Sequence, residues 1–486
     1  MNKLKLIDTF FYPKNITLIG VSRNLMSASG MILSNIIEGG YKGELNLINK
    51  NAEKDKKILG RSIKNSLSEI DHDLDLAFVI TPSRSVPKVL EECADKNIKA
   101  VAIISSGFGE SVLYDKEKLK LQDQIVRIAK KNGFIFTGPN CNGVYSELAS
   151  LNAIFGPRVN CLPNGKISFC TRGGTAGIQS MIESTIRGLG VSKFINLGDS
   201  AFLKIQDIIE YYEKDQDTEV IGIYTEGIND ADQFIKICKR SKKPIILLKT
   251  GQTKAGQRAA LSHVGAISGE SRIFKGFAKQ AGILIVESIK ELMDLASALI
   301  ISYVPKGKNI GILTPAGSLG VMATDACAKQ GLNIPKLSDE LINKLNPLLP
   351  EYWSHNNPID ITDSMDFSIF FKVIKNFLAE EKINGLIVLL GELMTDQQDI
   401  IDFGPEIMKN RELFFEFIKS QVKRIGKYIK QIKKPVFFFG PVYAENGLPK
   451  YFREHNIIVL PEFRKIARIF AKMVKWKEYL DRKKSG

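Results

Sequence analysis

Apolar and polar positions alternate along this chain in a repeated two-part pattern. A short apolar run closes on Gly, Ser, Thr, Pro or Asn, and a stretch with helical spacing of its apolar residues follows. In the first part the runs are 16–21, 44–49, 74–82, 100–105 and 134–136, with helices predicted over 30–38, 86–96 and 119–132. The pattern resumes with strands at 166–170, 193–197, 220–224 and 244–248, and with a helix continuing through Ile186. A third round places strands at 309–314, 385–390, 435–439 and 457–460 and a helix at 321–329. Strand and helix in alternation predict an α/β fold with parallel, doubly wound sheets, in which ligands bind at the carboxyl ends of the strands.

Two Pro/Gly-bearing stretches, 155–165 and 305–308, punctuate the pattern and predict three domains, 1–150, 160–305 and 306–486. That number agrees with the length of 486 residues. Residues 394–422 are highly charged and predict a helical elaboration, and 462–480 predict an amphipathic helix with a basic tail.

Composition narrows the function classes. No apolar run approaches the roughly 20 residues of a membrane helix, and the N-terminal residues lack the apolar core of a signal peptide. The expectation is a soluble cytoplasmic protein without a membrane partner. Six cysteines are scattered with no CxxC pair or Cys/His cluster, so no metal site is predicted. The formal net charge is +15, but it sits on helix faces and a Lys-rich end without interleaved aromatics. A nucleic-acid partner is not expected; a polyanionic small ligand suits the charge better.

Candidate chemistry collects at strand ends. In the first domain these ends are Gly20-Val21-Ser22-Arg23, Thr81-Pro82-Ser83, Ser105-Ser106-Gly107 and Gly138-Pro139-Asn140, a set suited to a nucleotide-like ligand. The first turn lacks a full GxGxxG, which argues against a dinucleotide. In the second domain a strand enters Thr171-Arg172-Gly173-Gly174 at a helix start, where free N–H groups and the helix dipole favour an anion. Glu226 follows another strand, and His263 lies beyond the strand before Lys249, in Ser262-His263-Val264-Gly265. A neutral imidazole is a good phosphoryl acceptor, and a neighbouring carboxylate raises its basicity. Only four histidines are present. His72 and His455 read as solvated, and His355 as structural or interfacial.

The turns resemble those of the NDP-forming acyl-CoA synthetases, which include ADP-forming acetyl-CoA synthetase α and succinyl-CoA synthetase α. The resemblance rests on Gly20-Val21-Ser22-Arg23, Asn49-Lys50-Asn51, Thr81-Pro82-Ser83, Ser105-Ser106-Gly107-Phe108, Gly138 to Gly143, Tyr224-Thr225-Glu226-Gly227 and Ser262-His263-Val264-Gly265. It implies a Rossmann-like CoA-binding domain (1–150) followed by two flavodoxin-like domains, a phosphohistidine domain (160–305) and a ligase-CoA domain (306–486). The third is matched by Thr314 to Gly320 and Asn357 to Thr362.

By the resemblance, Gly20, Ser22, Arg23 and Lys50 hold CoA phosphates. Thr81, Pro82, Ser105, Ser106 and Gly107 line the pantetheine path, and Asn140 sits near the thiol end. His263 carries the phosphoryl group, stabilised by Glu226, and Thr171, Arg172, Gly173 and Gly174 hold phosphate. The chain departs from the family pattern at Val264, where Thr is usual, and at Gly173, where Ser is usual. Each departure deletes one hydroxyl.

The sequence contains no P-loop, and the family's ATP-grasp part has no counterpart in it. The implied protein is the α-type subunit of an ADP-forming acid–CoA ligase, with CoA as substrate. ADP/ATP and Mg2+ are expected through an ATP-grasp β-type partner in a hetero-oligomer. The alternatives are a CoA- or acyl-CoA-binding protein without ligase activity, and a CoA-dependent acyltransferase or lyase subunit.

Overall fold

A computed structural model describes residues 2–52, 57–109, 117–228, 230–258, 271–361, 367–389, 411–440 and 447–485. The chain divides into two compact units, Met1–Leu292 and Met293–Gly486.

The first unit holds two sheets of seven strands. The first contains β1 (Asn15–Ile19), β2 (Glu44–Ile48), β3 (Lys57–Ile58), β4 (Arg61–Lys64), β5 (Leu76–Val79), β6 (Ala100–Ile103) and β7 (Ile135–Thr137), in the order β3-β4-β2-β1-β5-β6-β7. All its pairs are parallel except β3–β4. Its strands β5 and β6 are apolar throughout; Leu76, Ala77, Phe78 and Val79 are all fully buried, as a sheet covered on both faces requires. The strand order reverses at β1, so the crevice lies beyond Ile19 and Val79.

The second sheet contains β8 (Gly143–Ser146), β9 (Leu151–Ile154), β10 (Leu162–Thr171), β11 (Gly190–Asn196), β12 (Val220–Thr225), β13 (Ile245–Lys249) and β14 (Leu284–Val286). Their order is β14-β13-β12-β10-β11-β8-β9, with the reversal at β10. The chain therefore crosses between sheets at Gly143, ahead of the Pro/Gly-bearing stretch 155–165. Residues 143–154 form a hairpin whose first strand pairs antiparallel with β11, so they belong to the second sheet.

The two sheets interlock at their carboxyl ends. Thr137 Oγ1 donates to Asn196 O (2.8 Å), and Asp199 N and Ala201 N donate to Pro139 O (3.0 Å) and Gly138 O (3.1 Å). An N-terminal helix, Lys3–Phe11, ties the unit from another side. Its Phe11 ring stacks on Tyr211 (5.2 Å), whose hydroxyl donates to Asp8 (2.7 Å). The sequence reading passed over this helix, although Ile7, Phe10 and Phe11 have helical spacing.

The second unit is built on a fully parallel sheet of β15 (Ile310–Thr314), β16 (Ile359–Asp360), β17 (Gly385–Leu389), β18 (Val436–Phe439) and β19 (Ile457–Leu460), ordered β16-β15-β17-β18-β19. The last helix runs Phe463–Ser485 and buries Ile466, Phe470, Met473, Val474 and Trp476 along one face. Arg482, Lys483 and Lys484 stand at its negative dipole end. Of the charged stretch 394–422, the latter part enters the helix Arg411–Ile432. Residues 394–410 lie outside the described residues. Among the described residues no helix is long and apolar enough to cross a membrane.

Candidate active site

The reversal of the first sheet opens a cleft of about 310 Å³. Thr81, Pro82, Ser105, Ser106 and Asn140 line it, together with Ala28, Ile80, Ile104, Cys141, Asn142 and Phe155. The turns are laced to one another: Ser105 Oγ donates to Thr81 O (2.6 Å), and Asn140 N donates to Ser105 O (2.9 Å). Burial pushes the Cys141 thiol up to about 12, so it stays a protonated wall residue.

The other CoA candidates flank the cleft. Gly20 ends β1 at φ +95°, and a Cβ there would lie 2.4 Å from Ile80 O. Only glycine lets these two strand ends pass so closely. The Ser22 amide donates to Ser29 Oγ (2.9 Å), and the Ser22 hydroxyl accepts from Asn24 N (3.1 Å). Arg23 and Lys50 are exposed. Gly107 faces Ser83, with φ +93°. Asn49, which the sequence reading gave no role of its own, pins the turns after β1 and β2 together by donating to Val21 O (2.7 Å). Its place after an apolar run was the available signal.

The reversal of the second sheet places the turn after β10 beside the end of β12. Here the four turn residues divide into two pairs. Thr171 is buried and its hydroxyl accepts from Asn196 Nδ2 (3.1 Å). Arg172 is buried too, and its guanidinium donates to Gly198 O and Asp199 O (both 3.2 Å). Burial lowers the Arg172 pKa, while the Glu226 and Asp199 carboxylates favour its charge. These two side chains brace the turn from behind. Gly173 and Gly174 form its opening, at the start of the helix Gly174–Ile186, whose N-cap Gly173 has no side chain to cap it. A Cβ on Gly173 would lie 2.8 Å from the Tyr224 ring and 3.4 Å from Glu226 Oε1.

Glu226 is buried beside that opening and accepts a hydrogen bond from Tyr224 OH (3.0 Å). The structure thus brings Glu226, Gly173 and Gly174 together. His263 lies outside the described residues. The strand leading toward it ends at Lys249, a buried lysine whose Nζ lies over the Phe274 ring (5.7 Å). Burial lowers its pKa.

Asn142 joins the two sites. It lines the cleft, its backbone N donates to Asn196 Oδ1 (2.8 Å), and its amide lies flat against Gly174. A Cβ on Gly174 would fall 2.1 Å from Asn142 Oδ1.

Elsewhere, in the second unit, Asn357 is buried and braces β15 through Ile312 N and Ile310 O. His355 rests on the Trp353 ring (4.4 Å), and the half-buried His455 has its Nδ1 bonded to Tyr451 O (2.8 Å). His72 lies 3.2 Å from Glu44.

Three domain families match along the chain. They are a CoA binding domain over residues 14–147, a succinyl-CoA ligase-like flavodoxin domain over 164–299 and a ligase-CoA domain over 310–408. The chain is 33% identical to the α subunit of ADP-forming acetate–CoA ligase I of Pyrococcus furiosus, over 97% of this chain and 98% of that one. It belongs to the ADP-forming acid–CoA ligase family, as an α-type chain. The ligase II α subunit of the same organism is 30% identical over 93% of this chain and 96% of its own length. A solved acetyl-coenzyme A synthetase 1 of Ca. Korarchaeum cryptofilum, in complex with phosphate and ADP, superposes with a TM-score of 0.83 at 27% identity, covering 98% of each chain. The expected family and α/β architecture, with a Rossmann-like CoA-binding fold and flavodoxin-like ligase folds, are borne out.

Proposed function

We propose that this ADP-forming ligase chain carries the acyl- and phosphoryl-transfer steps between acyl-CoA and a phosphohistidine at His263, and that a separate ATP-grasp β-type subunit completes the reaction with ADP and Mg2+. The observation that carries this reading is the contact between the two strand-end sites. The cleft of the CoA-type sheet and the uncapped helix start of the second sheet meet at Asn142 and Gly174. A thioester carbonyl in the cleft and a phosphate at the helix start then come within reach of each other.

In this reading the first sheet, up to Asn142, binds CoA, the second sheet, from Gly143, carries the phosphoryl group, and 306–486 form the ligase-CoA domain. The turns at Gly20, Ser22, Arg23 and Lys50 hold CoA phosphates, and Thr81, Pro82, Ser105, Ser106, Gly107 and Asn140 guide the pantetheine arm. Phosphate at Gly173-Gly174 attacks the thioester and forms an acyl phosphate. His263 takes the phosphoryl group, releasing the acid, and delivers it to ADP. Glu226 holds the imidazole in its nucleophilic tautomer and stabilises the charge that follows. Small carboxylic acids are the substrate class, as in the names of the acetate–CoA ligases.

The test is phosphoryl labelling of the chain co-expressed with its ATP-grasp partner, from labelled ATP or from acyl-CoA with labelled phosphate. An acid-labile label that His263→Ala abolishes supports the reading. Wild-type complex that takes no label by either route overturns it and favours a CoA-binding protein without ligase activity.

A further inference from the structure

Asn142 occupies the passage between the cleft and the phosphate turn, and its amide orientation is settled by its surroundings. Nδ2 donates to Phe155 O at 3.0 Å. A carbonyl oxygen only accepts, so the atom facing it is the nitrogen. That bond uses one of the two amide hydrogens. The amide plane lies against the first residue of the helix: an ideal Cβ on Gly174 would be 2.1 Å from Oδ1 and 2.5 Å from Nδ2. Ile80, Ile104, Cys141 and Phe155 supply the apolar part of the cleft around it, and Thr81, Ser83, Ser105, Ser106 and Asn140 the polar part. A second amide hydrogen therefore remains on a side chain that both lines the cleft and touches the helix start.

We propose that the Asn142 side-chain amide donates a hydrogen bond to the acyl carbonyl oxygen and stabilises the oxyanion formed when phosphate attacks the thioester. This rests on the reading given under Proposed function. A phosphate oxygen forms the new bond to the carbonyl carbon, and the C=O electron pair moves onto oxygen. Asn142 Nδ2–H and the helix-start amides meet that charge in a site already shaped for it. Collapse restores the C=O bond and breaks the C–S bond. CoA leaves as thiolate and takes the proton from hydrogen phosphate, leaving acyl phosphate. An apolar residue at 142 would wall the passage equally well but would leave the oxyanion without this donor.

The test compares two routes to the phosphorylated chain in the assembled complex, for wild type, Asn142→Ala and Asn142→Ser. The first route starts from acyl-CoA with labelled phosphate and passes through the thioester. The second starts from labelled ATP and bypasses it. Asn142→Ala is expected to slow the acyl-CoA route about 10²-fold in kcat, with the KM for acyl-CoA little changed, as for loss of one oxyanion donor. Its ATP route keeps the wild-type rate, and Asn142→Ser, with a shorter donor, recovers part of the loss. An equal fall in both routes, or no fall in the acyl-CoA route, overturns the proposal and leaves Asn142 a packing residue against Gly174. Failure of wild type itself to label from ATP would instead refute the phosphohistidine reading.

Discussion

Gly198 is a position where a single methyl group should do severe damage. It follows β11 at φ +51°, and a Cβ there would lie 2.2 Å from Pro139 O and 2.5 Å from Asn140 O. Both obstacles are backbone, so neither can swing aside as a side chain would. Pro139 O also accepts the Asp199 N–H (3.0 Å) that locks the two sheets together. The left-handed conformation costs an alanine roughly 1 kcal/mol. Forcing apart a close-packed joint adds about 1–3 kcal/mol, and a weakened backbone hydrogen bond about 1 kcal/mol more. Gly198→Ala is therefore expected to lose about 3–5 kcal/mol, a large share of a domain's roughly 5–15 kcal/mol. Calorimetry should show the transition of the Met1–Leu292 unit falling by about 6–20 °C, at roughly 2–4 °C per kcal/mol. Because Asn140 lines the cleft, the KM for CoA should rise as well. Gly198→Asn is the discriminating variant. Asparagine tolerates the left-handed region but carries the same Cβ, so most of the loss should remain. An unchanged Tm in Gly198→Ala would refute the steric argument, and full recovery in Gly198→Asn would show that conformation alone sets the cost.

Two further outcomes follow from burial. Cys141 lines the cleft, yet its thiol is buried and pushed up to about 12. Alkylation at pH 8 followed by mass spectrometry should leave Cys141 unmodified until the chain is unfolded, and labelling of native protein would contradict this. Burial holds the Lys249 pKa below its ordinary 10.5, so the native state binds that proton less readily than the unfolded state. The penalty is fully present below the folded pKa and is relieved as pH rises through the window up to 10.5. Lys249→Met should thus unfold at a higher temperature than wild type at neutral pH, with the gap closing at alkaline pH. A variant less stable at neutral pH would show that the ammonium makes a net stabilising interaction.

Much of the architecture is written in local periodicity. The runs at 74–82 and 220–224 are apolar because both faces of a parallel strand are covered, and that alone predicts the element and its direction relative to its neighbours. The polar and glycine residues that close those runs stand at the carboxyl ends of the observed strands, so Thr81, Ser105, Asn140, Gly173 and Glu226 were visible as candidates before any contact was known. The hairpin 143–154 was not legible as part of the second sheet, because its short strands look alike whichever sheet they join. Thr171 and Arg172 likewise read as ligands from their place in a Gly-rich turn, while Asn196, Gly198 and Asp199, far along the chain, hold their side chains.

The sequence by itself determined the central strands of each sheet, that these run parallel, and which strand-end turns are candidates for chemistry. These follow from the side-chain period of each segment and from the few residue types that tolerate tight turns. Strand order, the two reversals at β1 and β10, and the meeting of Asn142 with Gly174 were decided by tertiary structure. Period reports how a segment is buried, but not which segment buries it; that choice is made by packing between residues remote in the chain.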